Sequence, residues 1–139
     1  MTFCAENEYC FMEETNKLLN LGHALYDIGA YIAAGNIFQR VLLIQIVVLG
    51  NWHLKTASVR TMLGNVFLST GQYDEAKRLF TQALNVQEKF DNGVNTELTR
   101  SCLGMVYFHQ NKFKDALIQL GQALPSLVRV FGEDHSHIL

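Results

Sequence analysis

The sequence predicts an all-α chain of about three tandem helix–turn–helix units. Two long segments match each other at an offset of 40 residues, and a weaker copy lies 42 residues further upstream. Within each copy the apolar residues recur at helical spacing, and turn residues break the run once. One such hairpin cannot bury its own apolar face, so neighbouring units must stack into a solenoid.

Bulk composition agrees. A chain of 139 residues is one ordinary domain, and 49% hydrophobic with 17% charged residues is the balance of a folding chain. The one proline, Pro125, leaves room for long helices and should kink or shorten the last of them. A net charge of -2 gives no global attraction to nucleic acid or to an anionic membrane, so neither is expected as a partner. Cys4, Cys10 and Cys102 are odd in number and lack zinc-site spacing; they read as reduced thiols of a cytoplasmic protein. Glu6, Glu8, Glu13 and Glu14 stand where a signal peptide needs positive charge. The most apolar run, Val41 to Leu49, is too short by itself to cross a bilayer, which takes about 20 residues.

Residues 1–10 read as a lead-in and 11–139 as the array, with repeats at about 11–52, 53–94 and 95–134 and the start of a fourth at 135–139. The first unit holds Leu21, Gly22, Leu25, then Gly29, Tyr31, Ala34, Phe38, Val41 and Leu42, predicting helices near 11–28 and 31–48. Its β-branched stretch Val41 to Leu49 falls on the second helix, as core or as a contact surface. The second unit holds Leu63, Gly64, Val66, Phe67, then Tyr73, Asp74, Ala76, Phe80, Ala83 and Leu84, with helices near 54–70 and 73–90. Ser69 to Gln72 supplies the stop and restart between them. The third unit repeats this as Leu103, Gly104, Val106, Tyr107, then Phe113, Lys114, Ala116, Leu120, Ala123 and Leu124, with helices near 96–110 and 113–131 and a turn at Asn111 and Lys112. Gly64 and Gly104, beside small Ala76 and Ala116, let backbones approach, while Phe67, Tyr107, Phe80 and Leu120 fill the space alongside. Gly50-Asn51-Trp52-His53 aligns with Gly132-Glu133-Asp134-His135, so His135 reads as a linker residue equivalent to His53.

The pattern Leu63-Gly64, Phe67, Gly71, Tyr73, Ala76, Phe80, Ala83 resembles the tetratricopeptide repeat. The period near 42 and the linker Gly132-Glu133-Asp134-His135 resemble the kinesin-light-chain subtype. The resemblance covers about residues 15–139 and implies a right-handed α-α superhelix that binds protein rather than catalyses. Arg60 and Arg100 depart from it, standing where the family generally has a bulky apolar or aromatic residue. They offer contacts to an acidic ligand or to local carboxylates.

The resemblance also implies a concave groove lined by first helices. Carried over position by position, its lining is Asn16, Leu19, Asn20, His23, Tyr26 and Asp27 from the first unit. Ser58, Thr61, Asn65, Leu68 and Ser69 follow from the second, and Leu98, Ser101, Met105, Phe108 and His109 from the third. Asn65 can both donate to and accept from a peptide backbone. Tyr26 and Phe108 read either as apolar pocket walls, with Met105, or as helix packing. Leu19, Thr61, Ser101 and Leu98 stand where chaperone-tail binders carry Lys or Arg, so tight binding of a C-terminal carboxylate tail is not expected.

No catalytic residue, cofactor or metal is expected. His135 and His137 with Glu133 and Asp134 alternate along a helix start and do not converge on an ion. No glycine-rich phosphate loop follows a strand. Cys102 aligns with Met62 and reads as core, while Asp74, Glu75 and Asp115 favour the positive ends of second helices. The expected partner is a protein or peptide. A C-terminal end without a polar cap points to further repeats or to a homo-oligomer.

Overall fold

The computed structural model describes residues 2–90 and 93–131, with side chains described from 12 to 90 and 93 to 123. It contains six helices in chain order: α1 (Thr2–Asp27), α2 (Tyr31–Leu49), α3 (Leu54–Ser69), α4 (Tyr73–Phe90), α5 (Val94–His109) and α6 (Phe113–Phe131). No strand occurs among the described residues. Each helix packs on the next, and α3 also touches α5, so hairpins stack side by side. The helix boundaries fall within about two residues of the sequence expectation, with one exception. Helix α1 starts at Thr2 rather than near residue 11, so it takes in residues 2–10. Pro125 does not shorten α6, which runs on to Phe131. Residues 132–139, where the linker after the third unit and the start of a fourth unit were expected, lie outside the described residues.

The three hairpin turns are one motif used three times. Gly29, Gly71 and Asn111 have φ of 85°, 82° and 64°, the left-handed region. In each turn the amide one residue further on donates back to the carbonyl five residues earlier: Ala30 to Leu25 at 2.9 Å, Gln72 to Phe67 at 2.8 Å, Lys112 to Tyr107 at 2.8 Å. The helix-terminal carbonyls are thereby satisfied and the next helix starts at once.

Packing at the crossing of each hairpin sets a large side chain against glycine. A Cβ built on Gly22 would lie 2.6 Å from the Phe38 ring, one on Gly64 2.7 Å from the Phe80 ring, and one on Gly104 2.8 Å from Leu120. The large side chain therefore sits directly on the glycine, a closer arrangement than the flanking placement expected from sequence. Buried Ala34, Phe38 and Val41 of α2 join Val59, Leu63 and Val66 of α3 and Leu79 of α4 in one cluster. Ala76, Phe80 and Leu84 of α4 join Leu103 and Val106 of α5 in the next, and Phe67 touches both.

The linker between the first two units is held by polar contacts. His53 caps α3, its Nδ1 accepting from the Lys55 amide at 3.1 Å. Thr56 Oγ1 donates to the Gly50 carbonyl at 2.9 Å. Helix α2 differs from its sequence reading in scale. Taken whole, Tyr31–Leu49 is long and apolar enough to cross a membrane by length and composition, although the shorter run considered alone is not. It packs between α1 and α3, burying Ala34, Phe38, Val41 and Gln45, while Ile32, Leu43 and Val47 on its other side are exposed. The stretch Val41 to Leu49 thus has one core face and one open face.

Candidate functional site

The first helices α1, α3 and α5 carry every residue expected in the groove. They are tied to one another by hydroxyls. Tyr26 Oη near the end of α1 lies 2.9 Å from Ser69 Oγ at the end of α3, and Thr61 Oγ1 lies 3.2 Å from Thr99 Oγ1 across α3 and α5. Each of these two threonine hydroxyls also lies within hydrogen-bond distance of the carbonyl four residues before it, and with one proton apiece one hydroxyl donates to its carbonyl while the other donates across to it. Thr61 and Tyr26 are therefore partly committed to joining the units. The aligned position Val59 gave no reason to single out Thr99, which is fully buried.

Other expected groove residues divide by burial. Leu19 packs against the first core cluster and Leu68 against the second, so both contribute as much to the core as to a surface. Asn16, Asn20, His23, Asp27 and Ser69 are exposed, and Ser58 is half-buried. The His23 ring meets Phe38 edge-on at 5.6 Å, and the Tyr26 ring meets Tyr31 at 5.2 Å. Asn16 shares a depression of about 30 Å³ with Met12, Thr15, Gln45 and Lys55, at the α1–α2–α3 junction. Asn65 is half-buried, and its side chain has no hydrogen bond to another described residue.

On α5 the residues Leu98, Met105 and Phe108 are 43%, 41% and 50% exposed. Their spacing of seven and three puts them on one face with Ser101, whose Oγ donates to the Glu97 carbonyl at 3.1 Å. Phe108 also meets Phe113 and His109 edge-on, both at 5.7 Å, and His109 stacks flat on Tyr73 at 5.4 Å. For Phe108 packing and exposure coexist: one edge rests on the turn and the rest faces solvent.

The two arginines that break the repeat pattern are both structural in part. Arg100 pairs with Glu88 of α4 at 2.6 Å and with Glu97 of its own helix. Arg60 donates to the Asn51 carbonyl at 3.0 Å and to Asn51 Oδ1 at 2.8 Å. Burial pushes the Cys102 thiol up to about 11, and its side chain packs against the second core cluster, the opposite of an activated nucleophile. Asp74 and Glu75 open α4 and Asp115 opens α6, as helix polarity favours. The histidines and carboxylates at 133–137 lie outside the described residues.

Stacked hairpins with an exposed first-helix wall define an α-solenoid of the repeat class. Family models of the tetratricopeptide repeat match residues 13–89 and 96–137, the first alone covering more than half of the chain. The chain belongs to the tetratricopeptide repeat family. Its fold is similar to that of BtubC (BKLC) from P. vanneervenii, with a TM-score of 0.76 at 20% identity over 85% of this chain and 48% of the other. It is also similar to the nearly identical TPR-like repeats of a kinesin-light-chain candidate from Podosopora anserina, with a TM-score of 0.67 at 19% identity over 85% of this chain and 57% of that one. A second crystal structure of those repeats, of a variant form, gives a TM-score of 0.69 at the same identity and coverage. The chain spans about half the length of these structures. No curated protein sequence matches it.

Proposed function

We propose that this chain is a non-catalytic scaffold or adaptor module that holds an extended peptide or a helical segment of another protein along the wall of α1, α3 and α5. Repeats of this family generally mediate protein–protein interaction and are generally non-catalytic. The observation that carries the reading is the exposed apolar file Leu98, Met105 and Phe108 on α5, set beside a wall that also offers Asn65. Apolar side chains for pockets and an amide that both donates and accepts are what a backbone-reading groove needs. The proposed compartment is the cytoplasm, and the reading involves neither nucleic acid nor a membrane.

Partners should be identified by crosslinking in the native cell, and a peptide mapped from one of them titrated by calorimetry. Asn65→Ala should weaken binding about fivefold, the value of one hydrogen bond of about 1 kcal/mol, and Phe108→Ala should weaken it more. Both variants should keep wild-type circular dichroism. Unchanged affinity in both variants would remove the inner wall as the binding surface.

A second reading has the module packing on more of its own kind. The exposed Ile32, Leu43 and Val47 of α2 favour it. It predicts a concentration-dependent sedimentation coefficient that Val47→Asp abolishes.

A further inference from the structure

Internal repetition provides a comparison within one molecule. Arg60 and Arg100 are equivalent, on α3 and α5 at an offset of 40. The Arg100 guanidinium is neutralised by Glu88 from the preceding second helix and by Glu97 one turn earlier. The residues at those two places around Arg60 are Ile46 and Ala57. Arg60 donates only to the neutral Asn51, and among the described residues no carboxylate lies within ion-pair distance of it. Yet Arg60 is only 8% exposed. A cation largely covered by protein, with no counter-charge among the described residues, is costly to the fold. Burial first and then the charge of Arg78 push its pKa down, the direction that an arriving carboxylate would reverse.

Arg60 also stands where two depressions meet, on the side of the second helices. One, of about 340 Å³, runs between α2 and α4, with Leu42, Leu43 and Ile46 on one bank and Leu79 on the other. The second, of about 320 Å³, is bordered by the exposed Trp52 and by Asn85; Arg60 and Gln82 line both. Arg78 and Glu75 on the bank pair with each other at 2.8 Å, so they add no net charge and the furrow keeps that of Arg60.

We propose that this furrow receives a segment of a partner protein bearing an aspartate or glutamate flanked by aliphatic or aromatic residues, its carboxylate taking at Arg60 the place that Glu88 takes at Arg100. Arginine has five N–H donors, and Asn51 engages two, so a carboxylate finds donors free. The apolar banks accept the flanking side chains, and Trp52 closes one end. This surface lies on the second helices and does not depend on the reading of the inner wall.

The test uses the capped peptide acetyl-Gly-Leu-Glu-Leu-Asp-Leu-Gly-amide and its Gln/Asn counterpart, titrated against the whole chain. Fluorescence of Trp52, the single tryptophan, reports binding. The carboxylate peptide should bind at least tenfold tighter than its neutral counterpart. Arg60→Gln should abolish that preference. Ile46→Glu, which supplies in cis the carboxylate that Arg100 already has, should abolish it too while holding or raising the melting temperature. Asn65→Ala should leave it unchanged. Equal affinity for the two peptides, no saturable signal up to millimolar concentration, or a preference that survives Ile46→Glu would overturn the proposal. So would self-association that Arg60→Gln dissolves, since a second copy would then be the occupant.

Discussion

At Gly64 the missing side chain is a space that a phenyl ring occupies. An added methyl would meet Phe80 at 2.7 Å, and Phe80 is fully buried with nowhere to retreat. Gly64→Ala should therefore cost about 1–3 kcal/mol in urea unfolding, as overpacking does. Gly104→Ala should cost less, because the half-buried Leu120 can turn away where a ring cannot. Asn111 holds by itself the left-handed turn that glycine holds in the other two units. Asn111→Gly should be neutral or stabilising, and Asn111→Ala should destabilise by about 1 kcal/mol on the same assay. Cys102 gives a pH signature. Its folded thiol titrates above its ordinary value, so the fold favours the protonated form. The stability it contributes is whole below the unfolded value near 9.0 and is lost as pH rises toward about 11. Alkylation at Cys102, located by peptide mass spectrometry, should be at least tenfold slower at pH 8 in the folded chain than in urea. It should accelerate only as pH approaches 11.

At the scale of the element, α2 is the exceptional helix. Its apolar residues surround it, so sequence periodicity does not separate the core face from the open one. The neighbours do: α1 and α3 cover Ala34, Phe38, Val41 and Gln45, and Val47 remains 86% exposed. Val47→Asp should leave the melting temperature within about 2 °C of wild type, as surface changes do. Val41→Asp, burying a charge without a partner, should unfold at least the first unit. A circular dichroism melt of the two variants distinguishes the packed solenoid helix from any arrangement that uses the other face as core. Legibility varied with the kind of signal. The hairpin turns were readable because Gly71 and the Asn111-Lys112 pair mark local backbone geometry. The start of α1 at Thr2 was not, because no cap residue precedes it and no repeat copy aligns with it.

Across the whole molecule, contacts run almost entirely between successive helices, so stability should follow nearest-neighbour rules. Helices α3 and α4 have neighbours on both sides and contribute to both large core clusters. Native-state hydrogen exchange should find their amides the slowest, with protection falling toward α1 and α6. Uniform protection across all six helices would instead indicate a single cooperative core. The expected groove was legible only as a set of positions. Repeat alignment put Asn65, Ser101 and Met105 on first helices, but it could not show that Thr61 reaches Thr99 or that Tyr26 reaches Ser69, since those bonds join residues 38 and 43 apart.

The sequence by itself determined the all-α class, the repeat period and the order of six helices, because apolar spacing and turn residues act over a few residues and the copies confirm one another. Tertiary structure alone decided which face of α2 is open, which glycine carries which ring, and that Arg100 is neutralised while Arg60 has no carboxylate partner among the described residues. Those outcomes rest on atoms that meet only after the hairpins stack, where distance through space, not along the chain, sets the energy.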